Sequence, residues 1–284
     1  MPPREVPTAR QARLGAELRK MRERAGKTAL ETAGLLASDR ARISHIEAGR
    51  SGVGEERIRR LATFYGCDDE AYVDALCAMS RERRGQFWWD EYRGVLPPAF
   101  LDMAELEHHA AYIRSYELSV MPGVLQTEDY ARAIFQNSIL PLSGEELDVR
   151  VEHRMRRKRI LEGGASGLYD AIVHEGALSM RYGGRDVLRK QLEALSAAAD
   201  AESTSVRVIP FNVEKMVASA QPVTYVGGPV AQLDSVQVDA YVGSGILDAE
   251  TQLKAFRNLW KKLESLALNV EESRKLIHRT AQEV

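Results

Sequence analysis

Asp39-Arg40-Ala41-Arg42-Ile43-Ser44-His45-Ile46-Glu47-Ala48-Gly49-Arg50 reads as one short amphipathic helix with both of its ends marked. Asp39 is an N-cap residue, whose carboxylate accepts from the free amides of a first turn. Gly49 is the stop, because glycine enters the left-handed conformation without steric penalty. Ile43 and Ile46 fall three residues apart and point one way, into a small core. Arg40, Ala41, Ser44 and His45 share much of the other face. That face presents a long cation, a methyl group, a hydroxyl and an imidazole.

Similar helices flank this one. Gln11–Arg24 carries Leu14, Leu18 and Met21 at helical spacing, with Gly26 as its stop signal. A second helix fits Thr28–Leu36, with Thr28 as N-cap, Glu31 at the capping-box position, and Leu30, Ala33 and Leu36 facing inward. The quoted helix is the third. A fourth fits Glu55–Tyr65, burying Ile58, Leu61, Ala62 and Tyr65 and ending at Gly66. A fifth runs from Asp69 to Arg84. Residues 1–9 hold three prolines and read as a flexible arm. Gly85 breaks the helical run. An aromatic connecting segment over 85–99 follows, with Phe87, Trp88, Trp89 and Tyr92 ahead of Pro97-Pro98. So much aromatic surface predicts that this segment docks the first domain on the second.

From residue 100 the pattern is mixed. Helices fit 100–116, 127–137, 145–162, 184–199 and 248–268. Strands fit Leu168–Val173, Ser205–Ile209, Val223–Val226 and Ser235–Val242, rich in Val, Ile and Tyr. The expectation is an all-α N-terminal domain of five helices over 10–84 and a larger α+β domain over 100–284.

Residues 1–66 carry 14 Arg and Lys against 8 Asp and Glu, a net charge of +6; the rest carries 25 against 33, a net −8. A basic module on an acidic body suits a protein of which only the first module meets phosphate. No run of 18 apolar residues occurs, so no membrane helix is expected. The N-terminal residues lack the apolar core of a secretory signal, and the chain reads as cytoplasmic.

The segments Leu18–Arg22, Gly26–Ala29 and Asp39–Arg50 together resemble the phage-repressor-like (xenobiotic response element) helix-turn-helix family. The most specific part is Ile43-Ser44-His45-Ile46-Glu47-x-Gly49-Arg50. The resemblance implies that the third helix lies in a DNA major groove with its N-terminal residues against base edges. The residue chemistry agrees. Arg40 can bond two acceptors of a guanine edge, Ala41 can touch a thymine methyl, and Ser44 and His45 can donate or accept. Lys27, Thr28, Arg42 and Arg50 flank that face as candidates for phosphate contact, which positions without specifying. The resemblance pairs Arg22 with Glu47 in a salt bridge joining the first helix to the third. One departure stands at Ala29, where the family commonly has a phosphate-contacting Gln. The competing reading is an amphipathic bundle with a solvated basic face.

Three further stretches, Tyr116–Arg132 with its Pro-Gly-Val-Leu-Gln-Thr-Glu-Asp-Tyr-Ala-Arg string, Arg154–Leu161 with His174–Leu178, and Gly183-Gly184 with Gln191-Leu192, resemble the C-terminal domain of antitoxin-like transcriptional regulators of actinobacteria. That resemblance implies a small regulatory protein partner. A small-molecule effector held by the same domain is the alternative. Gly243 stands where that family carries an acidic residue. A lone helix-turn-helix makes few contacts, so a homodimer on a pseudo-palindromic operator is expected. The basic run Arg154, Arg156, Arg157, Lys158 and Arg159 reads first as a solvated helix face, with a partner surface and a second DNA contact as alternatives.

An enzyme is not expected. His174-Glu175 matches the start of a zinc-protease helix, but Leu178 stands where the second histidine belongs. His108 and His109 are adjacent and point about 100° apart on a helix. Gly183-Gly184 and Gly227-Gly228 match no phosphate or dinucleotide loop, and Ser179 and Ser244 sit in no nucleophile elbow. Cys67 and Cys77, ten residues apart on helical sequence, suit neither a disulfide nor a zinc site. No cofactor and no metal are expected.

Overall fold

The computed structural model describes residues 6–82, 85–162, 168–199, 201–218, 220–239 and 244–284. Two compact units divide the chain. The first runs to Arg93 and takes in Phe100–Glu105; the second comprises Gly94–Ala99 and Leu106–Val284.

The first unit holds five successive helices: α1 (Ala9–Arg24), α2 (Ala29–Leu35), α3 (Arg40–Glu47), α4 (Glu55–Tyr65) and α5 (Glu70–Arg81). Side chains cap four of the five. Thr8, Thr28, Asp39 and Asp69 accept from the amides of Gln11, Glu31, Arg42 and Tyr72, and Thr8 and Thr28 close full capping boxes. Leu18, Met21, Ala33, Ile43, Ile46, Ile58, Leu61 and Leu76 form the small core. Burying these side chains against one another is what holds helices as short as α2 and α3, which would be marginal alone.

Several expectations are corrected here. Leu30 does not face inward; it is 71% exposed. The inward stripe of α2 is Thr32, Ala33 and Leu36, and at roughly 100° per residue Leu30 falls outside it. The flexible arm over 1–9 is shorter than expected, because Thr8 is buried as the cap of α1; residues 1–5 lie outside the described residues. Arg84, the expected end of the fifth helix, also lies outside them. The aromatic segment is not a separate connector up to residue 99. Its 3-10 turn Trp88–Tyr92 is part of the first unit, with Trp89 and Tyr92 buried and Phe87 stacked on Trp89 at 4.6 Å.

Where one helix was expected over 100–116, the chain forms α6 (Pro98–His108) and then β1 (Tyr112–Glu117). The apolar residues of 100–116 satisfy a helical period throughout, but Ile113, Ser115 and Tyr116 are buried in the middle of a sheet, and that tertiary pairing decides the conformation. β1 pairs parallel with β2 (Leu168–His174) and antiparallel with β4 (Val223–Gly227). With β3 (Thr204–Ile209), β5 (Ser235–Asp239) and β6 (Ser244–Leu247) the order is β3-β2-β1-β4-β5-β6. The expected strand end at Val242 lies outside the described residues, as does Gly243.

Helices α7 (Glu128–Gln136) and α8 (Gly144–Arg157) join β1 to β2; α9 (Glu175–Ser179) and α10 (Arg185–Ala198) join β2 to β3. Helix-bearing crossovers are what parallel neighbours require. Leu253, Trp260 and Leu263 of α11 (Glu250–Leu266) pack with Tyr116, Ile172, Tyr225 and Val236 in one core cluster. A final helix, α12 (Val270–Glu283), which the sequence reading did not include, holds the edge strand: the Val208 amide donates to Ser273 Oγ at 2.9 Å.

Candidate nucleic-acid interface

Helix α3 is set by contacts on three sides. Asp39 Oδ1 accepts from the Arg42 amide at 2.7 Å and starts the helix. Ile43 and Ile46, 2% and 3% exposed, fix its rotation. At its end the Gly49 amide returns to Ile46 O and the Arg50 amide to His45 O, with Gly49 at φ +70°.

Two glycines then bring the helices to backbone contact. A Cβ on Gly49 would stand 2.7 Å from Gln11 O of α1, and one on Gly15 would stand 2.6 Å from both Ile46 O and Glu47 O. Arg22 locks the same junction. Its Nε donates to Glu47 Oε1 at 2.6 Å, one terminal nitrogen to Glu47 Oε2 at 2.9 Å, and the other to Lys27 O at 2.9 Å. Both side chains are largely buried, and the fork geometry is the strong, bidentate kind.

With its apolar side so committed, α3 turns Arg40, Ala41 and Ser44 outward, exposed, with His45 half-buried. Among the described residues no carboxylate pairs with Arg40, Arg42 or Arg50. Arg19, Arg22, Arg59 and Arg81 of the same unit are all paired. An unpaired guanidinium on an exposed face keeps its donors free for an incoming anion or base edge.

The flanking candidates differ among themselves. Lys27 lies over the Phe64 ring at 5.0 Å, which holds its ammonium beside α4. The Thr28 amide and, after it, the Thr28 hydroxyl each donate to Glu31 Oε2 at 2.7 Å, and these two contacts lower the Glu31 carboxyl below the usual carboxylate range. A phosphate at Thr28 would compete with that carboxylate. Ala29 is half-buried. The structure adds two cations that were not singled out from sequence. Arg57 and Arg60 lie exposed three residues apart on α4, and Arg60 donates to Leu35 O at 2.9 Å, tying α4 to the end of α2. The isolated Gly15 inside α1 was the available signal for the close helix contact.

In the second unit the expected solvated basic run turns partly inward. Arg157 forms a bidentate pair with Glu107 at 2.6 and 2.7 Å, where Glu107 is 2% exposed. Arg154 donates to Gln126 Oε1 at 2.7 Å and lies over the Phe135 ring at 4.2 Å. Burial, with those cations adjoining, pulls the neighbouring His153 down to about 3. The Pro-Gly-Val-Leu-Gln string is architectural. Gln126 donates to Met121 O, and buried Gln191 bridges Leu125 O and the Thr127 amide, which seats the start of α7.

His108 and His109 make an edge-on ring pair with centroids 4.8 Å apart. Among the described residues no group of three or more His, Cys, Asp or Glu could hold a metal ion, and no helix is long and apolar enough to cross a membrane.

Residues 13–76 match a helix-turn-helix domain, the hallmark of DNA-binding regulators. No curated protein matches the chain. Residues 100–279 match the domain of unknown function DUF5753, and since that match spans more than half of the molecule, the chain belongs to the DUF5753 family.

Proposed function

We propose that the chain is a sequence-specific transcriptional regulator in which Arg40, Ala41, Ser44 and His45 read base edges and Lys27, Arg42 and Arg50 hold phosphates, with Thr28 joining them once Glu31 releases it. The observation that carries this is the outer face of α3, where among the described residues Arg40 and Arg42 are exposed and have no carboxylate partner, whereas Arg19, Arg59 and Arg81 of the same unit are paired. A helix whose outer face served only solubility would be expected to carry charges of both signs. The protein acts as a homodimer on a pseudo-palindromic operator, because one such module makes too few contacts for strong specific binding. It is cytoplasmic and has no catalytic role. Its second unit receives the signal from a small protein partner, as in the antitoxin-like regulators that its sequence resembles.

The alternative, a small-molecule effector, has one observation in its favour. A groove of about 330 Å³ in the second unit is lined by Asp170, Glu202, Ser203, Ser205, Arg207 and Val270 among others. Co-purification with a small protein supports the first reading, and a bound metabolite in that groove supports the second.

Binding selection from random duplex DNA tests the reading directly. The intact chain should enrich a two-fold motif, and an Arg40→Ala/His45→Ala variant should not. Enrichment by neither, or equal enrichment by both, refutes the assignment of this face.

A further inference from the structure

We propose that Asp102 and Glu105 of α6 are positioning residues for DNA binding, because they cap the first turn of α1 and that turn sets the end of α3. This rests on the DNA-binding reading above and names a route by which the reader can be adjusted without touching DNA.

The first amides of a helix lack intrahelical acceptors. In α1, Thr8 Oγ1 serves only the Gln11 amide, at 3.3 Å. The Thr8 amide is served locally by Gln11 Oε1 at 3.2 Å, but the next donors are served from more than ninety residues away. The Ala9 amide donates to Asp102 Oδ1 at 2.9 Å, the Thr8 hydroxyl to Glu105 Oε1 at 3.1 Å, and the Arg10 amide reaches Glu105 Oε2 at 3.4 Å. Both carboxylates also stand at the positive end of the α1 dipole.

The capped turn leads directly to α3. Gln11 and Ala12 are the residues against which Gly49 packs, and one turn later Gly15 meets the carbonyls of Ile46 and Glu47. These are backbone-to-backbone contacts with no side chain between to absorb a displacement. Close-packed groups of this kind transmit a shift instead of yielding to it. A change at Asp102 and Glu105 therefore reaches the end of α3 within two helical turns. Phe100–Glu105 of α6 is the last stretch of the first unit along the chain, ahead of β1 at Tyr112.

The test uses the full chain carrying Asp102→Ala/Glu105→Ala, beside Asp102→Asn/Glu105→Gln, whose amide oxygens still accept. Hydrogen exchange is read over residues 9–12 and 46–50, and operator affinity is measured under conditions where every variant is folded. The alanine pair should exchange faster in both segments and bind about tenfold more weakly, an ordinary coupling magnitude. The amide pair should restore both, and the salt dependence should not change, since no phosphate contact is lost. Faster exchange confined to 9–12, with 46–50 as in the unaltered protein, overturns the proposal. If the alanine pair loses protection across α4 and α5, the first unit has unfolded, and Asp102→Ala alone is read by the same criteria. If the unaltered protein selects no DNA, the DNA-binding reading fails separately, while exchange at 46–50 still decides whether α6 positions α3.

Discussion

Replacing Glu105 by Gln should make the first unit more stable at neutral pH, and the gain should vanish in acid. Glu105 is 7% exposed. Burial is the main force on its carboxyl, and with Glu82 and Asp102 adding like charge it is pushed up to about 7, against hydrogen bonds from Thr8 and the Arg10 amide that favour ionisation. Arg10 does not rescue it, because its guanidinium is spent on Glu82 at 2.7 and 2.9 Å. A carboxyl raised in the folded state stabilises that state below the unfolded pKa and loses the advantage as pH rises through the folded one. The window therefore runs from about pH 4.5 to about pH 7. Ionising a carboxyl held near 7 in place of 4.5 costs the folded state on the order of 3 kcal/mol, a large share of the stability of a small unit. The glutamine oxygen still accepts from the Thr8 hydroxyl and the Arg10 amide, and its NH₂ group can donate to the neighbouring carboxylates. The assay is denaturant unfolding of Glu105→Gln and the unaltered chain from pH 4.5 to 8. It is followed by Trp88 and Trp89 fluorescence in a Trp260→Phe background, which removes the tryptophan of the second unit. The stability difference between the two proteins should widen by about 3 kcal/mol across that range. Parallel curves would refute the argument and show that Glu105 is not strained by its site.

Three further outcomes follow from the reader itself. Arg40→Ala should cost about 1–3 kcal/mol of specific binding and relax preference at one base position; equal loss on random DNA would remove Arg40 from the base-reading set. Arg42→Ala should weaken all sequences alike and lower the salt slope by about one, so an unchanged slope in a salt titration counts against a phosphate contact. Gly15→Ala places a methyl 2.6 Å from two α3 carbonyl oxygens, so helix–helix separation must grow. Its cost should fall at about 1–3 kcal/mol, the range for overpacking a tight site, despite the better helix propensity of alanine. A Gly15→Ala protein as stable as its parent in thermal unfolding would mean that α1 and α3 are not held in contact.

The first unit was legible because its signals are local. Thr28 with Glu31, Asp39 ahead of α3, and Gly26, Gly49 and Gly66 past the helix ends each sit within one turn of what they specify, and the helices begin and end there. Leu30 was misplaced because a seven-residue helix leaves periodicity too few positions to choose between two adjacent stripes. The α+β character of the second unit also showed, since the Val- and Ile-rich runs became β2 to β5. β1 did not show, because its strand state depends on β2 and β4, whose partner residues lie more than fifty positions away.

Separation in sequence also hides the partners of Arg154 and Arg157, which lie beyond the helix that carries them. The run from Arg154 to Arg159 follows acidic residues at the start of its helix, and the favourable dipole arrangement is enough to predict a solvated face. What turns Arg157 inward is Glu107, fifty residues earlier, and what turns Arg154 inward is the pair of Gln126 and Phe135. Placing a charge in a core is costly unless its partner is held in good geometry, so such pairs can arise only where the fold supplies the partner first. Asp102 and Glu105 follow the same logic in the first unit. Read alone they are two acids on an amphipathic helix; beside Thr8, Ala9 and Arg10 they become the acceptors that a helix start requires. The proposed recognition face is therefore written locally, in α3, whereas the acids proposed to adjust it stand more than fifty positions further along the chain.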